Sequence, residues 1–224
     1  MPEDDDSRQP VALEQRSLSA DQRMFSPSAA RNAAPVLSVL KGRLPTHGKV
    51  LEIGCGTGEH AVHFAEAMPG ITWLPSDPDP QSRASTASWI AFKGRSNVLT
   101  PVDIDVSAAS WGVENQAPFD AVVSLNMVHI APWEASLGLF AGAGRLLRPE
   151  GLLVLYGPFM RNGAHTAPSN AAFDQSLKAR NPSWGLRDIA DLERIAQEHR
   201  LSLREIVEMP ANNLSLVFTR DTRQ

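Results

Sequence analysis

Three glycines stand at alternate positions between two apolar segments. Gly54, Gly56 and Gly58 follow a short branched stretch, residues 50–53, and precede residues 60–68, whose apolar side chains have helical spacing. Glycine tolerates backbone angles and close approaches that a Cβ forbids, so this turn lets a ligand lie almost against the main chain. The first amides of the following helix have no partners within the helix and would face that ligand. The spacing therefore predicts a small-molecule site between a buried strand and a helix.

The residues around the turn exclude two common nucleotide sites. The NAD-type fingerprint needs a glycine where this chain has Glu59, and a phosphate-binding P-loop needs a lysine that the turn lacks. What remains is an acid, Glu52, followed by the three glycines. This pattern resembles motif I of class I S-adenosylmethionine (SAM) methyltransferases. The resemblance implies that Glu52, Gly54, Gly56 and Gly58 contribute to a SAM site.

Composition places the chain among ordinary folded proteins. Its 224 residues, 42% hydrophobic and 21% charged, fit one domain with a sizeable core. A net charge of −4 argues against a nucleic-acid partner, since phosphate binding usually needs a basic face. The single cysteine, Cys55, cannot form an intrachain disulfide, the first residues lack signal-peptide features, and no apolar run is long enough to span a membrane. We therefore expect a cytoplasmic protein without a membrane partner; its oligomeric state is not predicted.

The chain divides into a short tail and one domain. Residues 1–24 start with an acidic run and carry charges that interrupt any apolar stripe, which predicts a flexible tail ahead of a domain over 25–224. A helix is expected with Asn32 as its N-cap and Pro35 in its first turn. Arg31 would then lie in the loop before this helix. There its guanidinium could pair with the methionine carboxylate of SAM through a bidentate fork.

An acidic residue follows the second predicted strand. Residues 71–76 are typical of a buried strand, and Asp77 comes next, the nineteenth residue after Gly58. Rossmann-like sites place an acid about 20 residues beyond the glycine turn, where a carboxylate accepts hydrogen bonds from ribose hydroxyls. Asp77 is therefore the predicted ribose ligand, with Asp79 as the alternative.

A third acid follows the third predicted strand, residues 97–104. In class I methyltransferases an acid at this point accepts from the adenine amino group, and the next backbone N–H reaches a ring nitrogen. The resemblance implies these roles for Asp105 and Val106. Asp103, two positions earlier, is the alternative.

The fourth predicted strand, residues 119–125, is a nearly continuous apolar run, as expected for a strand covered on both faces. Ligands of open parallel sheets bind beyond the carboxyl ends of the strands. We therefore expect Asn126 at the cofactor, and Met127 and His129 at the methyl group and its acceptor. His129 is the candidate general base because histidine titrates near neutrality. The alternative is a packing histidine bonded to a backbone carbonyl.

Strands and helices alternate five times before a C-terminal hairpin. The fifth strand, residues 152–156, is followed by a polar insertion near 160–188 that would cover the substrate. The last two strands, residues 201–209 and 214–219, are joined by a short turn. This order predicts a Rossmann-like three-layer α/β sandwich with a mostly parallel seven-stranded sheet and a C-terminal antiparallel hairpin.

The set of motifs resembles the uncharacterised methyltransferase-like family that includes methyltransferase-like protein 26. The matching segments between residues 26 and 220 are Arg31-Asn32, Gly54 to Gly58, Asn126 to Ile130 with Trp133, Tyr156 to Phe159, Phe173-Asp174 with Ser176-Leu177, Trp184-Gly185 with Arg187-Asp188, and Met209 to Asn213. The later segments are unusual among methyltransferases. The resemblance implies a SAM-dependent fold and leaves the substrate unassigned.

Together these features predict a SAM-dependent methyltransferase that acts on a small-molecule acceptor through an oxygen, nitrogen or sulfur nucleophile. Apolar walls with a few directed hydrogen bonds are the usual composition of a small-ligand pocket. The residues expected there are Met127, His129, Tyr156, Phe173, Asp174, Trp184, Asn212 and Asn213. The alternatives are a methyltransferase acting on protein or nucleic acid, a non-catalytic SAM-binding regulator, and an NAD-linked oxidoreductase, which Glu59 disfavours. No metal is expected, because His60 and His63 lack the further ligands of a zinc site.

Overall fold

The computed structural model describes residues 16–222. The strands in chain order are β1 (Ser17–Leu18), β2 (Met24–Phe25), β3 (Gly48–Ile53), β4 (Ile71–Ser76), β5 (Phe119–Leu125), β6 (Leu147–Gly157), β7 (Phe159–Arg161), β8 (Ala164–His165), β9 (Arg187–Asp188), β10 (Leu201–Met209) and β11 (Asn213–Arg220). The helices are α1 (Pro27–Lys41), α2 (Glu59–Ala67), α3 (Pro80–Lys93), α4 (Trp133–Leu146), α5 (Pro168–Arg180) and α6 (Ile189–Glu198). None of the helices within this part of the chain is long and apolar enough to cross a membrane.

A mixed sheet of six strands forms the centre of the fold, in the order β10-β11-β6-β5-β3-β4. The strands from β6 to β4 are parallel, and β10 and β11 add the antiparallel hairpin predicted from the sequence. Apolar residues alternate between two cores on opposite faces of the sheet. Leu51 and Val122 pack in the core that contains α4 and α6, whereas Val50 and Val123 pack in the core that contains α1 and α2. Burial on both faces explains the continuous apolar runs of the central strands.

The predicted seventh strand does not form. Residues 97–104 run beside β4 but make only two isolated bridges, at Val98 and Val102. Pro101 lies between these bridges, and Pro75 occupies the facing part of β4. Neither proline has an N–H to donate, so the hydrogen-bond ladder is interrupted between the two bridges. The prediction of seven strands was wrong for this reason, and the α/β architecture is unaffected.

The N-terminal part of the described chain packs on α3. Strands β1 and β2 form a small hairpin, where a tail had been predicted through residue 24. Met24 is buried: its N–H donates to Ser85 Oγ at 2.8 Å, and its carbonyl accepts from Trp89 Nε1 at 3.0 Å. The rest of the predicted tail, residues 1–15, lies outside the described residues.

Helix α1 begins earlier than the sequence suggested. Ser26 is its N-cap and accepts from the N–H of Ala29, and Pro27 occupies the first helical position. Arg31 therefore lies on the second turn of the helix, and its predicted place in a preceding loop was wrong. Pro35 lies inside the helix, where its missing N–H leaves the carbonyl of Arg31 without the usual partner four residues on.

Candidate functional site

A cavity of about 1170 Å³ opens at the carboxyl ends of β3, β4 and β5. Most of the residues predicted for the site line it: Arg31, Gly54, Gly56, Asp77, Asp105, Val106, Asn126, Met127, His129, Phe173, Asn212 and Asn213. Five predicted residues are not among the described residues of its lining, namely Glu52, Gly58, Tyr156, Asp174 and Trp184. The sheet topology brings the first set together because parallel strands end at the same edge.

The glycine turn is shaped by its neighbours on both sides. The N–H groups of Gly54 and Cys55 both donate to the carbonyl of Ser76 at 2.9 Å, which fixes the turn against the end of β4. All three glycines have positive φ, between 55° and 84°. A Cβ on Gly58 would lie 2.5 Å from Thr86 Oγ1, so this glycine permits the close approach of α3. Gly58 does not belong to the described lining, and its predicted contact with the ligand stays a prediction.

Asp77 is the acid at the middle of the cavity wall. Its Oδ2 accepts from the N–H of Gly56 at 2.9 Å, and its Oδ1 accepts from the N–H of Asp79 at 3.0 Å. Burial raises the pKa of Asp77, and these two hydrogen bonds oppose that effect. Asp79 also lines the cavity, but its carboxylate caps α3 through the N–H groups of Gln81 and Ser82. The positive charge of Arg16 acts to lower the pKa of both carboxylates. Arg16 also lines the cavity, and the sequence analysis did not predict it there.

The two glutamates beside the turn support it from outside the cavity. Glu52 is buried in the sheet, where its Oε2 accepts from Trp73 Nε1 at 2.7 Å and burial raises its pKa to about 7. Glu52 is not part of the described lining, and its contact with the ligand stays a prediction. Glu59 Oε2 accepts from the N–H of Ser26 at 2.7 Å and from Thr57 Oγ1 at 2.9 Å. Glu59 thus ties the start of α1 to the glycine turn.

The structure places Asp105, and not its alternative Asp103, at the cavity. Asp105 Oδ1 accepts from the N–H and the hydroxyl of Ser107, at 2.9 and 2.6 Å, and these bonds lower its pKa. Asp103 Oδ2 pairs instead with Arg83 at 3.2 Å. The Asp105 carboxylate therefore remains charged at neutral pH.

Arg31 and Asn213 also line the cavity, and both are near Tyr156 of β6. Tyr156 lies close enough to the Asn213 side chain and to Arg31 for both to affect its ionisation. Burial raises the pKa of Tyr156 to about 12, against the opposing effects of the Asn213 side chain and of the Arg31 charge. Tyr156 was predicted to contact substrate; it is not part of the described lining of the cavity, and its contact with substrate stays a prediction.

His129 lies on a single helical turn, Val128–Ile130, directly after β5. Its side chain is buried, and its ring meets that of Phe173 edge to face at 5.6 Å. Burial, with a smaller contribution from the charge of Arg187, lowers the pKa of His129 to about 4. Its Nδ1 has no hydrogen-bond partner among residues 16–222, so it is not bonded to a backbone carbonyl. His129 is therefore a neutral imidazole with unused hydrogen-bonding capacity at neutral pH.

One side of helix α5 faces the cavity, and another side packs against the rest of the insertion. Phe173 faces the cavity, whereas the next residue, Asp174, points into the insertion. Asp174 Oδ1 accepts from the N–H of Leu186 at 2.8 Å, and its Oδ2 contacts Lys178 Nζ at 2.6 Å and His165 Nε2 at 3.1 Å. Asp174 therefore holds the insertion together, and its contact with substrate stays a prediction.

The insertion is fastened to the turn that carries His129. The N–H of Gly185 donates to the His129 carbonyl at 3.0 Å. Arg187 Nε donates to the Val128 carbonyl at 3.0 Å, and another of its nitrogens donates to the Ala131 carbonyl. Trp184, predicted as a pocket wall, precedes this contact and does not belong to the described lining. Arg187 had appeared in the sequence only as part of a motif, and its role in positioning this turn was missed.

A second set of contacts joins α5 to the turn between β10 and β11. Asn170 Nδ2 donates to the Asn212 carbonyl at 2.9 Å, and Asn212 Nδ2 donates to Ser169 Oγ at 3.2 Å. Ala211 and Asn212 both have left-handed backbone angles, with φ of 57° and 56°. Such strained positions persist where the surroundings hold them and are concentrated at functional sites. Across residues 16–222, no group of three or more His, Cys, Asp or Glu side chains is placed to hold a metal ion.

Several solved structures that share this fold are described as methyltransferases. The methyltransferase SibL, in its apo form, has a TM-score of 0.71 at 22% identity, over 87% of this chain and 56% of that one. CalO1, a methyltransferase in calicheamicin biosynthesis with S-adenosylhomocysteine (SAH) bound, has a TM-score of 0.67 at 18% identity, over 85% and 54%. A putative sarcosine dimethylglycine methyltransferase from Galdieria sulphuraria has a TM-score of 0.69 at 14% identity, over 93% and 92%. The chain spans little more than half the length of the first two, and identities this low establish a shared fold.

The narrower resemblance to the family of methyltransferase-like protein 26 rests on the sequence motifs alone. A sequence family described as "Protein of unknown function (DUF938)" matches residues 23–220, which is most of the chain. The protein is therefore a member of the DUF938 family with a class I methyltransferase fold.

Proposed function

We propose that this protein is a SAM-dependent methyltransferase that transfers a methyl group to a small-molecule acceptor. The observation that carries the proposal is the arrangement of three successive strand ends along one cavity wall. The open glycine turn, Asp77 and Asp105 follow one another there, and His129 lies in the same cavity. This order fits an elongated ligand that has a ribose and a base at one end and a reactive group at the other.

The residues present fit SAM. Gly56 leaves open space where a Cβ would meet the ligand, since the nearest atom to a Cβ built there is Arg16 Nη2 at 3.5 Å. Asp77 would accept from the ribose hydroxyls, and Asp105 from the adenine amino group, with the N–H of Val106 at the ring. Arg31 would pair with the methionine carboxylate, and Asn126 would lie beside the methionine portion. SAM, when bound, supplies an electrophilic methyl group on a sulfonium.

The acceptor would then lie between His129, Phe173 and the turn of Asn212 and Asn213. Aligning a nucleophile with the methyl group is the main task of the protein and can contribute about 7–11 kcal/mol. His129 is neutral at pH 7, and its imidazole could receive a proton from an acceptor that loses one on methylation. Its low pKa makes it a weak base, so it suits an acceptor whose proton becomes acidic as the new bond forms.

The segments that border the cavity favour a small acceptor over a protein or nucleic acid. Helix α5 and the β10–β11 turn contact each other through Asn170 and Asn212 on one side of the cavity. The insertion and the turn that carries His129 are joined through Gly185 and Arg187. These links narrow the approach to the methyl group, and the net charge of −4 does not favour a polyanion.

Calorimetry with SAH, SAM and NAD tests the cofactor assignment. We expect SAH and SAM to bind in the micromolar range, about −8 kcal/mol, and NAD not to bind. Failure of SAH to bind would refute the proposal. A methyl-release assay on metabolite fractions then tests for turnover, and SAH binding without methyl transfer to any fraction would favour a regulator.

A further inference from the structure

We propose that Asn170 determines acceptor specificity by presenting its amide oxygen to the acceptor end of the cavity. Asn170 is 5% exposed and lines the cavity from the first turn of α5. Its Oδ1 would accept a hydrogen bond from a hydroxyl or N–H of the methyl acceptor. This inference rests on the proposed function and names the chemistry of the molecule that the site selects.

The orientation of the Asn170 amide is set by its two partners. Nδ2 donates to Thr166 Oγ1 at 2.9 Å and to the backbone carbonyl of Asn212 at 2.9 Å. A backbone carbonyl only accepts hydrogen bonds, so the nitrogen and not the oxygen must face Asn212. Both amide hydrogens are therefore used within the protein.

The oxygen is the part of the amide left for a ligand. Within residues 16–222, no donor bonds to Asn170 Oδ1. This oxygen is nevertheless not among the fully buried side-chain atoms that lack a partner, so it keeps some solvent exposure. It is therefore at the cavity surface. A buried acceptor that is left unpaired costs more than a neutral hydrogen bond gains, so a ligand that supplies a donor is favoured over one of the same shape that does not.

The surroundings agree with a ligand that carries a hydrogen-bond donor. His129, which also lines the cavity, is a neutral imidazole at pH 7 and places no positive charge beside the acceptor. Phe173 supplies an apolar wall between the two. A neutral acceptor with a hydroxyl or amine group satisfies Asn170 Oδ1, whereas the corresponding methyl ether leaves this oxygen unpaired.

A fragment experiment on the SAH-loaded protein tests the inference. The probes are a set of neutral compounds below about 200 Da, paired so that one member has a hydroxyl or N–H and the other has the corresponding methyl ether or N-methyl group. Binding is detected by NMR of ¹³C-methyl-labelled Met127 and Ala211, which both line the cavity. We expect the donor-bearing members to bind about two- to ten-fold more tightly, as for one neutral hydrogen bond.

Three variants separate the amide oxygen from the structural role of Asn170. Asn170→Leu should abolish the preference for donors. Asn170→Asp keeps an acceptor oxygen and should retain it, although the bond to the Asn212 carbonyl is lost. Thr166→Val removes one partner of Nδ2 outside the cavity and should also retain the preference, which makes it the matched control for loosened tethering.

The outcomes distinguish this inference from the proposed function. If SAH binds normally but the paired probes bind equally, or if none binds, Asn170 does not select a donor. An unchanged preference in Asn170→Leu would overturn the inference in the same way. If SAH itself does not bind, the proposed function fails first.

Discussion

Replacing Asp77 by alanine gives the sharpest test of the cofactor site. Each oxygen of the Asp77 carboxylate holds one protein N–H, from Gly56 and from Asp79, and a carboxylate retains further lone pairs for ribose hydroxyls. Hydrogen bonds to a charged group contribute about 1.5–3 kcal/mol, so Asp77→Ala should weaken SAH binding by about 12- to 160-fold. An asparagine would be a poor substitute here, because its NH₂ group would face one of the two N–H donors.

Calorimetric titration of SAH into Asp77→Ala and into Asp79→Asn measures the effect. Asp79→Asn is the matched control, since asparagine caps a helix about as well as aspartate and should change the affinity by less than about threefold. Circular dichroism must show that both variants are folded. Unchanged affinity in Asp77→Ala would refute the assignment, and a large loss only in Asp79→Asn would move the ribose role to Asp79.

Three further predictions concern the cofactor carboxylate, acid stability and the glycine turn. Arg31→Lys should weaken SAH binding by about tenfold in calorimetry, because lysine lacks the bidentate fork; equal affinity would contradict the pairing. The low pKa of His129 means that its folded form stays neutral, so its contribution to stability is complete above pH 6.5 and is lost as the pH falls toward 4. In urea titrations, the free energy of unfolding of the parent should therefore fall by about 2 kcal/mol more than that of His129→Gln between pH 7 and pH 5. An equal fall in the two proteins would contradict this. Gly58→Ala should lower the free energy of unfolding by about 2 kcal/mol or more, because its Cβ would meet Thr86 at a φ of 84°, whereas Gly94→Ala, which meets nothing within 4 Å at a φ of 61°, should cost less.

The sequence predicted the strand ends because they depend on local patterns of apolar and polar residues. Short apolar runs followed by a glycine, an acid or an asparagine, at Gly54, Asp77, Asp105 and Asn126, predicted that these residues would converge, and they line one cavity. Parallel strands covered on both faces need apolar residues at every position, so their ends are marked by the first polar or small residue. The alternation of strands and helices then determined the α/β class.

Elements that depend on contacts far apart in the chain were predicted less well. The start of α1 was misplaced because Asn32 and Pro35 are plausible cap and first-turn residues, while the actual cap, Ser26, is also tied to Glu59. The strand expected over residues 97–104 failed because a proline in its neighbour, Pro75, removes a donor that only pairing reveals.

For side chains, the sequence determined which residues are present near the cavity, and the tertiary structure decided which of them face it. Phe173 and Asp174 are adjacent on one helix, so their side chains point about 100° apart, and only the packing of α5 turns Phe173 toward the cavity. Glu52 resembles a ligand residue but bonds Trp73 across the sheet. Asn170 carries no distinguishing pattern in the sequence, because its amide is oriented by Asn212, 42 residues away, and hydrogen bonds across that separation exist only in the folded chain.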